Sequence, residues 1–258
     1  MKDLKTRTLT GIFGIALLLF IVSKGKIYLS VAISLLSIIG LWEFYQAMNN
    51  IKIKPVKLIG YLAVMGLFIS NQYHVINTEF VLYLIMISLL IMLLINKKIK
   101  VIDVAATLLG ILYVPFFLFY IYRLDGSIYI WLIFLISFGT DTFAYFVGNA
   151  FGRNKLCPNI SPNKTQEGAL GGILGSLVVT LILGYFIKAE ILWKLAILAI
   201  LASITAQIGD LVASRIKRLA KIKDYGFIFP GHGGVLDRFD SIIFTAPLIY
   251  YYVEHILI

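Results

Sequence analysis

Long apolar runs separated by short polar ones make up most of this chain. Nine continuous apolar stretches can be marked, at 8–23, 27–47, 56–70, 79–96, 101–122, 127–149, 168–187, 190–213 and 239–257. None shows the apolar–polar alternation of period two that a barrel strand needs, so each is expected to be a helix. A helix crosses a bilayer with about 20 apolar residues. The stretch 56–70 is short for this, so it would cross with little tilt or be partly re-entrant. The pattern therefore predicts an all-α fold, a polytopic integral membrane protein with about nine transmembrane helices. Residues 1–126 would supply the N-terminal helices, and 127–258 the C-terminal helices with the polar loops, as one continuous membrane domain. No internal repeat or low-complexity tract interrupts the scheme.

Composition agrees. Hydrophobic residues make up 60% of the 258 and charged residues only 14%, against about 25% charged in soluble domains. Mean hydropathy is +0.93. A leader peptide alone does not account for this, because apolar stretches recur to the last residue. The lone cysteine, Cys157, excludes an intrachain disulfide. With His74, His232 and His255 scattered along the chain, a structural zinc site has too few ligands.

Charge placement orients the helices. With the N-terminus in the cytoplasm, only Lys24, Lys26, Arg123, Lys188 and Lys194 fall on the outer side, and the other 18 of the 23 lysines and arginines fall inside. Such a bias is what the positive-inside rule demands. The formal net charge of +10 thus gathers on the cytoplasmic face. The last two cytoplasmic segments, 151–168 and 214–240, also hold acids, glycines and prolines, which orientation does not require.

Acids in or near a membrane core are costly and mark candidate functional sites. Asp141 lies in the cytoplasmic half of the sixth stretch, Asp210 near the cytoplasmic end of the eighth, and Asp237 and Asp240 at the start of the ninth. Asp210, Ser214 and Lys217 share one helical stripe, as do Asp237 and Asp240. Carboxylates so grouped suit a hard cation such as Mg²⁺. Asp224 beside Lys223, and Asp103 at a helix start, are expected to be structural, each paired with a nearby cation.

The run PGHGGVLDR, 230–238, is not a P-loop, since no GxxxxGK[ST] occurs. Its Gly233 and Gly234 can still offer backbone N–H groups to an anion ahead of a helix N-terminus, and His232 is a candidate phosphate donor. In FGRNKLCPNISPNKTQEG, 151–168, Ser161 and Pro162 read as an N-cap followed by proline at the first helical position. Lys155 and Lys164 can meet phosphate as point charges.

These segments together resemble a known family. SRIKRLAKIKDYGFIFPGHGGVLDRFD, 214–240, is similar to the signature of phosphatidate cytidylyltransferases, or CDP-diacylglycerol synthases. The match rests on Ser214, Lys217, Arg218, Lys223, Asp224, Gly226, Pro230, His232, Gly233, Gly234, Asp237, Arg238 and Asp240. Upstream, 141–168 and 207–218 also resemble that family's cytoplasmic motifs, so the likeness covers about the last 120 residues. Gln166 stands where relatives commonly have Trp, and Ala213 where they often have an acid.

The resemblance implies that CTP and phosphatidic acid give CDP-diacylglycerol and pyrophosphate, with Mg²⁺, at the cytoplasmic face of the cell's inner membrane. Asp210 and Asp237 would be metal ligands, and Asp240 and Asp141 would be ligands or support them. Lys217, Arg218, Arg238, Lys155, Lys164 and His232 would hold phosphates, with Gly233 and Gly234 beside them. Ser214 would touch metal or phosphate. The bilayer is an implied partner, a homodimer is suggested by the family, and nucleic acid is not expected. Two competing readings are another lipid nucleotidyl- or phosphotransferase and a cation-coupled transporter. A transporter gathers its polar groups near the bilayer midplane, whereas here they crowd one face.

The orientation has a direct test in Cys157. An impermeant maleimide is expected to label it in inverted vesicles and not in intact cells; labelling from outside intact cells overturns the assignment.

Overall fold

The computed structural model describes residues 2–73, 75–187, 189–229, 231 and 233–257, with the backbone alone for 2–9. Helices dominate: α1 (Lys2–Lys24), α2 (Lys26–Asn50), α3 (Lys57–Tyr73), α4 (Thr78–Ile95), α5 (Val101–Ile111), α6 (Phe117–Arg123), α7 (Ile130–Phe151), α8 (Gln166–Ile187), α9 (Leu192–Leu219) and α10 (Leu236–Tyr252). All nine apolar stretches are helical. Among the described residues, six helical segments have the length and hydropathy to cross a bilayer: Lys26–Asn50, Thr78–Ile95, Val101–Arg123, Ile130–Phe151, Gln166–Ile187 and Ala189–Leu219. The chain is thus a multi-pass, all-α membrane protein. Helices α3 and α10 have 17 residues each, and the apolar part of α1 is Thr10–Lys24.

The segment Val101–Arg123 is one span made of α5, a wide π-turn at Leu112–Phe116 and α6. Pro115 sits in that turn. A proline lacks the N–H that a regular turn would use, and a widened turn absorbs the loss.

Two compact units emerge, one of Met1–Gly126 with Lys217–Phe239, the other of Ser127–Ile216 with Asp240–Ile258. In the first unit α2 packs on α3, α5 and α6. Its Phe44, Tyr45 and Leu41 are fully enclosed. Gly110 makes room for Tyr45, since a Cβ there would stand 2.7 Å from the ring's Cε1. Tyr45 then reaches α5, donating its hydroxyl to Thr107 O at 3.3 Å. Asp103 accepts from Lys54 N at 2.7 Å and from Lys100 N at 2.9 Å. It is therefore structural, as expected, but it holds backbone N–H groups rather than a cation.

In the second unit α7 and α8 pack along their length. The reason is a stripe of glycines, Gly168, Gly171, Gly172 and Gly175, turned to α7. In lipid there is no hydrophobic drive to bring helices together, so small residues that admit close backbone packing take over. Hydroxyl pairs add to this unit's interior: Thr140 Oγ1 donates to Ser203 Oγ at 2.8 Å, and Ser137 Oγ and Thr245 Oγ1 share a bond of 2.9 Å.

Two expectations for 151–168 need correction. Ser161 does not cap a helix. It opens strand β2 (Ser161–Thr165), which pairs antiparallel with β1 (Lys155–Cys157), a hairpin that the search for apolar periodicity had no means to show. Helix α8 starts at Gln166, and the capping role belongs to Thr165, whose Oγ1 accepts from Gly168 N at 3.1 Å. Glu167 closes the loop by accepting from Arg153 N at 3.1 Å and from Asn154 Nδ2 at 2.8 Å.

The glycine stripe yields a prediction. A Cβ on Gly172 would stand 2.9 Å from the backbone O of Thr140, which cannot swing aside, whereas one on Gly139 would meet nothing nearer than 3.7 Å. Gly172→Val should destabilise by at least about 1–3 kcal/mol, the usual cost of overpacking. Gly139→Ala should be near neutral. Melting temperatures of the detergent-solubilised proteins check both.

Candidate active site

Two lysine–carboxylate constellations stand out, one in each unit. In the first unit the node is Asp237, in the first turn of α10. Its side chain is 4% exposed. Asp237 Oδ1 accepts from Lys217 Nζ at 2.7 Å, and Oδ2 accepts from Tyr225 N at 2.8 Å and Gly234 N at 2.9 Å. The Lys217 ammonium also lies 5.6 Å from the centre of the Tyr225 ring. A carboxylate so enclosed is tolerable because it is both ion-paired and hydrogen-bonded. Gly233 has φ +86°, where an L side chain is strained, and a Cβ there would crowd Asp237 Oδ2 at 2.8 Å.

The loop that delivers these groups is fixed from beneath by a residue that the sequence reading did not single out. Glu43 on α2 is 0% exposed. Its Oε1 accepts from Val235 N and its Oε2 from Leu236 N, both at 2.9 Å. Those are N–H groups at the start of α10, which no turn of the helix can satisfy. Gly226 and Gly234 line the same carboxylate, and a Cβ would stand 2.5 Å from Oε1 on the first and 2.7 Å from Oε2 on the second. The signal was present in the sequence, since Glu43 is the only charged residue of the stretch 27–47.

In the second unit the hairpin carries Lys164 to α9, where it pairs with Asp210. Ser214, one turn on, donates to Asp210 Oδ1 at 3.3 Å. The pair is half-open, with side chains 29% and 26% exposed. Asp141 is exposed on α7 and accepts from Ser241 Oγ at 3.4 Å. Asp240 is nearly buried, and its Oδ1 accepts from Ser241 N at 2.8 Å. Gly209 makes room for it on α9, since a Cβ there would stand 2.5 Å from Asp240 O.

Three other expected residues are exposed. Lys155 is exposed at the head of β1. Arg218 is exposed, with Nη1 donating to Ile222 O at 3.4 Å. Arg238 is exposed in the first turn of α10. His232 and Pro230 lie outside the described residues. Asp224 does not pair with Lys223: among the described residues no ion pair joins them. It lines a cleft instead.

Carboxylate and hydroxyl oxygens are the donors that a hard divalent cation prefers. Among the described residues no three acids, histidines or cysteines stand close enough to form a cage. A Mg²⁺ ion that takes one or two carboxylates and completes its shell with water and substrate phosphate needs no such cage.

A helical membrane protein with lysine–carboxylate pairs and a glycine-rich loop at a helix start has the equipment of a membrane-embedded transferase of phosphate groups. The particular lineage follows from comparison. Residues 5–256 match the Cytidylyltransferase family, and the chain belongs to it. Similar proteins include the phosphatidate cytidylyltransferases of Staphylococcus saprophyticus (38% identical over 256 residues), Staphylococcus epidermidis (39% over 254) and Staphylococcus aureus (38% over 256). Each alignment spans 95% of this chain and 97% of the relative. The likeness therefore runs through the N-terminal half as well, beyond the C-terminal motifs.

Glu43 can be tested apart from the paired acids. Glu43→Ala would leave two buried N–H groups without an acceptor, at about 1–3 kcal/mol each, so a lower melting temperature and weak turnover are expected. Glu43→Gln keeps one acceptor and should fall between. A melt and an activity assay on both variants check the order; equal melts for Ala and wild type would remove Glu43 from this role.

Proposed function

We propose that this chain transfers a cytidylyl group from CTP to phosphatidic acid, releasing pyrophosphate and forming CDP-diacylglycerol. The observation that carries the reading is the end-to-end likeness to phosphatidate cytidylyltransferases, at 38–39% identity over 95% of the chain. The two lysine–carboxylate constellations support it, because the reaction must bring several anionic phosphates together.

A phosphate oxygen of the lipid attacks the α-phosphorus of CTP in line. The new P–O bond forms as the bond to the β-phosphate oxygen breaks, and pyrophosphate carries that electron pair away. A phosphate monoester has a second pKa near 6, so the nucleophile is already mostly dianionic at pH 7 and needs no general base. The chain's task is positioning and charge screening. Lys217 and Lys164 bring ammonium groups that are held on Asp237 and Asp210 until phosphate arrives. Arg238, Arg218, Lys155 and His232 add donors, and the Gly233–Gly234 backbone shapes the loop.

Asp210 and Asp237 would hold Mg²⁺, with Asp240, Asp141 and Ser214 in support; bound there, the ion would neutralise phosphate charge. The shorter helices α1, α3 and α10 would cross as well, making nine crossings with the N-terminus and the site on the cytoplasmic side of the inner membrane. The basic surplus then serves CTP and lipid rather than nucleic acid. A homodimer belongs to the same family-based expectation.

Purified protein given phosphatidic acid, Mg²⁺ and CTP should release pyrophosphate and form a CDP-lipid. Diacylglycerol, which lacks the phosphate, should not replace phosphatidic acid. Equal turnover of UTP, or no turnover of any nucleotide, sinks the reading. Asp237→Asn and Asp210→Asn should each lose about 10²–10³ in rate, as for removal of one electrostatic stabiliser, and the pair should not be additive. Because Asp237 also anchors its loop, a Mg²⁺ titration is decisive. A ligand variant needs more Mg²⁺ for half-maximal rate; an anchor variant is slow at every Mg²⁺ concentration.

A further inference from the structure

Beside the Asp237 node, wholly within the first unit, opens a cleft of about 490 Å³. That is the size range of small-ligand sites, roughly 300–1,000 Å³. Its polar wall comes from Gln46 and Asn50 at the end of α2 and from Lys223 and Asp224 in the loop between α9 and α10, and its aromatic wall from Tyr225 and Phe227. No ligand-handling role has fallen to α2 in the reaction so far, nor to the residues between Ile222 and Phe227.

We propose that this cleft takes the cytosine–ribose half of CTP. The assignment rests on the cytidylyltransferase reading and adds to it the part of the site that recognises the nucleoside. Three observations point there. First, the cleft adjoins the phosphate machinery through one residue: Tyr225 lines the cleft, while its backbone N–H holds Asp237 Oδ2 at 2.8 Å. A nucleotide lying along Tyr225 would carry its phosphates to Asp237 and Lys217.

Second, the polar groups match a pyrimidine edge. Cytosine offers an amino donor beside two acceptors, whereas uracil presents a carbonyl and an N–H at the corresponding positions. Telling them apart takes an acceptor for the amino group and a donor for the ring nitrogen beside it. Gln46 Oε1 accepts from Asn49 Nδ2 at 3.1 Å, which fixes the sense of the amide and makes Gln46 Nε2 a donor. Asn50 supplies both kinds of group. The Asp224 carboxylate is an acceptor, and no ion pair among the described residues occupies it.

Third, Phe227 is 90% exposed at the rim. A bare aromatic face beside a polar cleft is the sequence-tolerant platform on which bases stack.

The test uses the full-length protein in detergent. Asn50 and Phe227 are both exposed, so Asn50→Leu and Phe227→Ala should fold normally. For each, CTP binding is measured by calorimetry, and inorganic triphosphate is measured as a competing ligand. Phe227→Ala should weaken CTP about 10-fold, the usual loss on removing one stacking partner, and leave triphosphate unchanged. Asn50→Leu should narrow the preference for CTP over UTP by a similar factor. The KM for phosphatidic acid should stay put in both. Unchanged CTP affinity, parallel weakening of CTP and triphosphate, or a rise confined to the lipid KM each overturns the assignment; the last would make the cleft a lipid site. A wild-type protein that turns over CTP while the variants do so equally well refutes the cleft alone. A wild-type protein that uses no CTP refutes the function, and the cleft with it.

Discussion

An acidic side chain closed off from solvent in the middle of an apolar helix is costly unless hydrogen-bond donors meet it. Glu43 finds them in the backbone of Val235 and Leu236, almost two hundred residues away in sequence. That single contact decides where α10 begins and therefore where Asp237 stands. It also explains the glycines better than a phosphate-binding motif does. Gly226 and Gly234 lack side chains because the Glu43 carboxylate occupies the place where a Cβ would go. The position of Asp237 thus depends on a buried acid of an N-terminal helix that lies outside the motif.

The same rule governs the other polar groups. Asp237 is tied by one ammonium and two backbone N–H groups. Asp103 ties two backbone N–H groups of a linker and a helix start. Deep in the second unit, hydroxyls pair with hydroxyls. The contrast is Asp210, held by Lys164 and a serine at the end of a half-open helix. Asp237, the enclosed acid, thus has three donors, while the more open Asp210 has two.

Much of this was legible in the sequence, for identifiable reasons. Helix positions follow from unbroken hydrophobicity, which backbone hydrogen bonding in lipid forces into helices. Asp210, Ser214, Lys217 and Asp237 could be singled out because charge is rare in such a chain. What escaped notice has reasons too. The β1–β2 hairpin is short and polar, with neither alternation nor a two-residue turn signal, so Ser161 passed for a cap. The pairing of Lys164 with Asp210 and of Lys217 with Asp237 is tertiary, and no spacing rule reaches it. Glu43 belongs to no polar cluster, yet an isolated acid in an apolar span is itself a signal. Asp224 was paired with Lys223 by adjacency alone, although neighbours in sequence seldom face each other.

The glycine stripe of α8 bears on how such a chain is built into a membrane. Its partners on α7, among them Val147 opposite Gly171 and Phe143 opposite Gly175, lie only a few dozen positions earlier in the chain. Contacts this local close quickly, because little loop entropy has to be surrendered. The two helices can therefore lock as a hairpin as soon as the second one leaves the translocation machinery, ahead of α9 and α10. Lys164 rides on the connection between them, so this lysine can be set in place before the acid it pairs with, Asp210 of α9, arrives.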